Sequence, residues 1–462
     1  MAKAPAPIVH SALRAIPSVE RILSADAFAP LVRDFGRERV KEAVTEHLTA
    51  VRAMRGSWDE TEASVAVGAA VAAATRSTLR HVVNGSGVII HTNLGRSPIS
   101  ASIWSEAAEI VAGYSNLEMD LEEGDRGARD EHLTAICRTL FGCEAAVLTN
   151  NNAAGTMLAL AALAAGKEVL VSRGELVEIG GAFRVPDVIQ QGGAKLREVG
   201  TTNRTRARDY ADACSRKTAA ILRVHRSNFD IVGFTETPRV PELVDVARQK
   251  KVPLLYDEGS GRIVELHPYG FTPGSTLAEL IAQGVDVVTC STDKLIGATQ
   301  GGLILGCEEQ LAKIRRHPLM RALRVGKETY AIVAATLRAF ATKKHEECVP
   351  VYRMLSTPID VLRTRAEMLV RGTSANIVDS RCALGGGTTP TETIASVAIE
   401  VPGNANELQA RFLANDPPIV GRVHNDRFTL DVRTLLETDL TQVAAALVID
   451  GKLVLKGMKV TQ

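Results

Sequence analysis

The chain reads as an α/β protein: a large domain with a mostly parallel sheet, preceded by a helical N-terminal domain and followed by a small α+β C-terminal domain. Three observations predict this. Residues 1–80 carry helical periodicity alone, short apolar runs alternate with amphipathic stretches from about Asn84 to Phe340, and a glycine-rich segment beyond Phe340 leads to further strand-like runs. The expected domains are therefore 1–80, 81–340 and 341–462. At 462 residues and 45% apolar content the chain can bury a sizeable core, and its net charge of +1 lacks the bulk basicity of a typical nucleic-acid binder. Any RNA would have to be held by a local patch or by shape.

In the N-terminal region the helical segments are Ile16 to Leu23, Phe28 to His47 and the alanine-rich Thr61 to Leu79, with 57–64 a loosely specified connection. Arg33, Arg37, Arg39, Lys41, Arg52 and Arg55 cluster there with acids between them. A solvated helical face and an RNA contact fit that pattern equally. Aromatics are sparse, so an RNA would be read by shape and backbone rather than by base stacking.

The strand-like runs of the large domain are Ala145 to Leu148, Glu168 to Val171, Ala220 to Val224, Pro253 to Tyr256, Val285 to Val288 and Gly302 to Leu305. In the C-terminal domain Gly385-Gly386-Gly387-Thr388-Thr389 precedes strand-like Ala395 to Val401 and Phe428 to Val432. The seven cysteines (Cys137, Cys143, Cys214, Cys290, Cys307, Cys348, Cys382) are scattered and never spaced CxxC, which argues against a disulfide framework and a zinc site and fits a reducing compartment. The N-terminus lacks a secretory pattern and no apolar run is long enough for a bilayer, so a cytoplasmic protein is expected.

Chemistry concentrates at strand ends. In Thr289-Cys290-Ser291-Thr292-Asp293-Lys294-Leu295-Ile296-Gly297, one lysine sits in a small polar turn after an apolar run. Desolvation there favours the neutral amine, which a Schiff base needs, and Ser291 could bond a cofactor phosphate. By itself the nonapeptide reads equally as a strand-to-loop junction with a surface lysine. Asn150-Asn151-Asn152-Ala153 leads into an alanine- and leucine-rich helix, leaving free amides for an anion, or forming an ordinary N-cap. Asp257 ends another run and could pair with a pyridinium nitrogen. The order of loop, acid and lysine on successive strand ends is more specific than any one of them. It points to a fold-type-I pyridoxal 5'-phosphate enzyme, with an aminotransferase-like large domain.

Further segments resemble one family along most of the chain. They are Asn84-Gly85 with His91-Thr92-Asn93-Leu94-Gly95-Arg96, Tyr114-Ser115-Asn116-Leu117-Glu118, Ser172-Arg173-Gly174-Glu175 running on to Gly180-Gly181, and Glu198-Val199-Gly200-Thr201-Thr202-Asn203-Arg204-Thr205. With them stand His225-Arg226-Ser227-Asn228-Phe229, Asp293-Lys294-Leu295 and His317-Pro318-Leu319-Met320-Arg321-Ala322-Leu323-Arg324-Val325. Together these segments resemble the bacterial L-seryl-tRNA(Sec) selenium transferases, also called selenocysteine synthases. The resemblance implies that seryl-tRNA(Sec), bound to pyridoxal phosphate, loses its Cα proton and β-hydroxyl. The resulting aminoacrylyl-tRNA then takes selenium from selenophosphate.

It further implies Lys294 as the Schiff-base lysine and Cα base, and Arg96, Arg321 and Arg324 as the anion site for selenophosphate; Asp293, beside the lysine, orients it, shuttles a proton or only caps the turn. The N-terminal domain would bind tRNA, and the assembly would be at least a dimer, by family a decamer. Arg321 and Arg324, three apart, also read as a solvated pair on one helical face. Gly180, Gly181, Thr201 and Thr202 permit close backbone approach to a ligand or simply serve turns. His225 could lie near the ring or be structural. Glu258 departs from the apolar residue expected between the acid and Gly259; buried, it needs a partner. The competing enzyme is a pyridoxal-phosphate lyase acting on a small free or phosphorylated amino acid, which has no need of the N-terminal domain. A non-catalytic tRNA-binding protein is the rival outside catalysis.

Overall fold

Residues 16–54, 57–179, 183–389 and 391–448 are described by the computed structural model, in which the chain divides into two compact units, Met1–His81 and Val82–Gln462. In the first, helices Val19–Leu23, Ala29–Phe35, Arg37–Ala53 and Glu60–Thr75 surround their own core. Val40, Val44 and Leu48, four apart on one helix, meet Val67 and Val71 on another, with Phe28 fully buried among them. Residues 60–64, expected to be loose, are helical because the Asp59 carboxylate accepts the Glu62 N–H at 2.8 Å. Acids pair with much of the basic cluster: Arg33 with Asp34, Arg37 with Glu20, Arg39 with Glu42. Arg55 lies outside the described residues.

The second unit is built on a seven-stranded sheet. Its strands are β1 (Ala145–Thr149), β2 (Glu168–Ser172), β3 (Lys195–Val199), β4 (Thr218–Val224), β5 (Leu254–Gly259), β6 (Val287–Ser291) and β7 (Gly302–Gly306). Their spatial order is β1-β7-β6-β5-β4-β2-β3, with β7 antiparallel to both neighbours and every other pair parallel. Side chains alternate between two apolar layers: Ala146 and Leu148 face one, Ala145 and Val147 the other. Helices cover both layers, which is why these strands read as continuous apolar runs. β3 did not, because as the edge strand it leaves Lys195, Arg197 and Glu198 in solvent.

A four-stranded antiparallel layer follows, of β8 (Asn376–Ala383), β9 (Thr393–Val401), β10 (Arg422–His424) and β11 (Arg427–Asp431), in the order β8-β9-β11-β10. It does not begin at 341: Val351, Tyr352, Met354 and Leu355 pack into the large core, and the helix Ile359–Val370 is the first to join the C-terminal core. Residues 83–90 also belong with this layer. Val83–Asn84 pairs with Ile419–Val420, and Ile90 N–H bonds Leu384 O at 2.8 Å. That second contact brings the glycine-rich segment against the strand ends of the large sheet.

Candidate active site

Parallel strands deliver their C-terminal ends to one edge of the sheet, where ligands bind in open α/β folds. From β1 the chain turns through Asn150 and Asn151 into the helix Asn152–Ala164, whose N-cap is Asn151, accepting the Ala154 N–H at 2.9 Å. From β5 comes Asp257, from β4 His225, and from β6 Ser291 and the turn to Lys294. They line one cavity of about 290 Å³ together with Arg96, Asn151, Asn152, Ala153 and Gln300.

Asp257 is buried, and its carboxylate accepts Asn152 Nδ2 at 2.8 Å and Thr156 Oγ1 at 3.3 Å. Thr156 sits one helical turn beyond Asn152, a spacing that marks it as the second donor once Asp257 is known to face this helix. Burial raises the Asp257 pKa against the opposing pull of Asn152, Lys294 and Thr156, so the carboxylate favours a cationic partner in the cavity. Lys294 is also buried. Burial first, then the Arg96 guanidinium, hold its ammonium below the ordinary lysine value, which favours the neutral amine that Schiff-base chemistry requires.

The segment 91–97 grips the lysine turn from the other side. Arg96 Nη1 bonds Asp293 Oδ2 at 2.6 Å, Ser97 Oγ donates to Lys294 O at 2.6 Å, and Ser97 N–H donates to Asp293 O at 3.3 Å. Arg96 adopts a left-handed backbone, φ 64°, uncommon for a non-glycine residue. The roof is the glycine-rich loop: Lys294 Nζ donates to Gly387 O at 3.1 Å, and His225 Nε2 lies 3.2 Å from Thr388 O. The run of glycines was visible in the sequence; its place over the lysine was not.

Of the residues expected from sequence, Lys294, Asp293, Asp257, Asn151, Asn152, Ala153, Ser291 and Arg96 come together. Arg321 and Arg324 do not join them in this chain. The helix Leu319–Leu323 ends before Arg324, so the two do not share a helical face; Arg321 is exposed, while Arg324 bridges β1 at Thr149 and bonds Glu118 at 3.3 Å. Thr201 and Thr202 are exposed, and Gly180 and Gly181 lie outside the described residues. Glu258 is buried and does have partners, the Ser260 hydroxyl and the Gly261 N–H.

Buried polar atoms without a protein partner test whether the cavity suits pyridoxal phosphate. Asn152 Oδ1 and Asp293 Oδ1 are two of them. With a helix N-terminus for the phosphate, a buried acid for the ring nitrogen and a buried lysine for the aldehyde, the donor set fits that cofactor.

Comparison with known proteins agrees. Residues 82–436 match the family model for L-seryl-tRNA selenium transferase, and residues 13–52 match that for the selenocysteine synthase N terminus. The L-seryl-tRNA(Sec) selenium transferase of Geobacter sulfurreducens is 44% identical over 94% of this chain and 98% of its own; that of Carboxydothermus hydrogenoformans is 38% identical over 93% and 95%. Among solved structures, D-glucosaminate-6-phosphate ammonia-lyase superposes with a TM-score of 0.59 at 22% identity, covering 80% of this chain and 95% of that one, a likeness of fold. On this evidence the fold is that of the fold-type-I pyridoxal-phosphate enzymes, and the chain belongs to the L-seryl-tRNA selenium transferase family.

Proposed function

We propose that this protein converts L-seryl-tRNA(Sec) to L-selenocysteinyl-tRNA(Sec) using pyridoxal phosphate held on Lys294, with selenophosphate as the selenium donor. Family membership along most of the chain supports the reaction. The convergence of Lys294, Asp257 and the Asn151–Ala153 helix start on one cavity carries the assignment of residues. Bound pyridoxal phosphate supplies an electron sink for the negative charge left at Cα when its proton is removed.

The chain's own groups do the rest. Backbone amides at the start of the helix Asn152–Ala164 hold the phosphate at the positive end of the helix dipole, with the Ser291 hydroxyl beside them. Asp257, fixed by Asn152 and Thr156, keeps the ring nitrogen protonated. Lys294, disposed to be neutral, takes the Cα proton and returns one to the departing β-hydroxyl. Asp293 is aimed by Arg96 through one oxygen, and its other oxygen is buried without a protein partner. The Gly385–Thr389 loop roofs the amine and excludes water. Arg96 stands in the cavity as a cationic donor for a multiply charged selenophosphate, and Arg321 and Arg324, apart from it in this chain, complete the anion site by family resemblance.

The N-terminal helical unit docks the tRNA, and the protein works in the cytoplasm as an oligomer of at least two copies, by family resemblance a decamer. Among the described residues no helix is long and apolar enough to cross a membrane. The test is incubation with seryl-tRNA(Sec) and then selenophosphate, weighing the aminoacyl group at each stage. A gain in mass matching replacement of oxygen by selenium is expected. An unchanged seryl group, together with turnover of free serine or phosphoserine, would replace this reading with a small-molecule lyase.

A further inference from the structure

We propose that Glu258 is a positioning residue, whose buried carboxylate clasps the Ser260–Gly261 turn and through it sets the loop that carries Lys294. The strand supplies the first observation. Along the β5–β6 pair, Asp257 faces Thr289 but Gly259 faces Cys290, so Glu258 is the extra residue of a bulge. Adjacent acids consequently serve different partners. Asp257 engages Asn152 and Thr156 in the cavity, whereas Glu258 takes the Ser260 hydroxyl on Oε1 and the Gly261 N–H on Oε2, the latter at 2.6 Å.

At 5% exposure a carboxylate persists only if its oxygens are satisfied, and both are. The turn it clasps touches the lysine loop on both sides of Lys294. Ser260 O accepts the Leu295 N–H at 3.0 Å. Gly261 has φ +77° and lies so near the loop that a Cβ there would be 2.7 Å from Ser291 O and 2.9 Å from Ile296 Cγ1. Little slack is left. Any drift of the Ser260–Gly261 turn moves the backbone of Ser291 and Leu295, and with it the direction from which the Lys294 amine meets an aldehyde.

The proposal rests on Lys294 being the cofactor's lysine, and the experiment separates the two. Cofactor-free protein is mixed with pyridoxal phosphate, attachment is trapped with borohydride over time, and the labelled peptide is identified by mass; cofactor retained without reduction is measured in parallel. Glu258→Leu should slow attachment to Lys294 by about tenfold, the scale of one lost charged hydrogen bond, with unreduced retention nearly unchanged. Glu258→Gln keeps a carbonyl for the Gly261 N–H and should recover to within about threefold of the wild type. Ser260→Ala removes one of the two contacts while the carboxylate keeps the Gly261 N–H, and should slow attachment by about threefold even if Glu258→Leu fails to fold.

Wild-type attachment rates in Glu258→Leu and Ser260→Ala overturn the proposal. So does a Gln variant as slow as Leu, which would make the charge, and not the clasp, the active feature. Labelling of a lysine other than Lys294 in the wild type removes the underlying site assignment and this inference with it.

Discussion

Lys294 Nζ donates to the carbonyl oxygen of Gly387, 93 residues away, at 3.1 Å, so the lysine turn of the large sheet and the glycine-rich loop ahead of β9 form one structure around the amine. Gly387 has φ +83°, and a Cβ on it would lie 2.5 Å from Lys294 Nζ. The backbone conformation therefore favours glycine here, and a Cβ would have to push the flexible end of Lys294 aside.

Gly387→Ala tests this relationship. It should cost about 1–2 kcal/mol in unfolding free energy, from the strained backbone, and should weaken attachment of pyridoxal phosphate to Lys294 by at least about tenfold. Denaturant titration and borohydride trapping measure the two effects. Normal attachment in a folded Ala variant would show that the loop does not press on the lysine.

Lys294→Met should abolish turnover and borohydride labelling while leaving the fold intact. It should also change the pH dependence of the cofactor-free protein. Burial depresses the Lys294 pKa, so the stability of the buried neutral amine is fully present above the ordinary lysine value and is lost as pH falls toward the depressed one. The wild type should lose stability as pH drops through that window, and the Met variant should lose less. Parallel slopes in chemical denaturation would show that Lys294 is not desolvated in the free protein.

For Asp257 the sign is opposite. Burial raises its pKa, so stability is fully present below the ordinary aspartate value and declines as pH rises through the folded one. At neutral pH the cofactor-free Asp257→Asn protein should be more stable than the wild type. It should keep some cofactor yet slow Cα proton loss, because an unprotonated pyridine is a poorer electron sink. Wild-type rates of dehydration of the seryl group would exclude the role.

The three arginines should separate. Arg96→Ala leaves the buried Asp293 without its cation, so dehydration of the seryl group and selenium addition should both slow. Arg321→Ala and Arg324→Ala should spare dehydration and weaken selenophosphate use by about 1.5–3 kcal/mol each, one to two orders of magnitude, with Lys replacements recovering only part. Rapid-quench analysis of each step decides. Equal effects of all three on dehydration would place Arg321 and Arg324 at the seryl-tRNA or cofactor phosphate instead.

Removing residues 1–81 should spare cofactor attachment, since that unit has a separate core, and should lower affinity for seryl-tRNA(Sec) and flatten its salt dependence. A salt titration of tRNA binding with unchanged slope would free this unit from any role in docking.

Local pattern alone determined the strands that carry the site. β1, β2, β4, β5, β6 and β7 are largely buried on both faces, so each reads as a mostly apolar run, broken in β4 by Arg223, and the polar residues ending β1, β5 and β6 stand out as the loop, the acid and the lysine. β3 and β8 escaped notice because their exposed positions carry Lys195, Arg197, Asp379 and Arg381, which break the apolar signal. Only the tertiary structure decided the contacts made across long separations in the chain: Arg96 on Asp293, Gly387 over Lys294, Thr156 on Asp257, and Arg324 on Glu118. Periodicity reports which face of an element is buried, but it carries no information about which distant segment does the burying. That choice is made by strand order and by the return of residues 83–90 to the C-terminal layer, which together place the glycine-rich loop above the lysine.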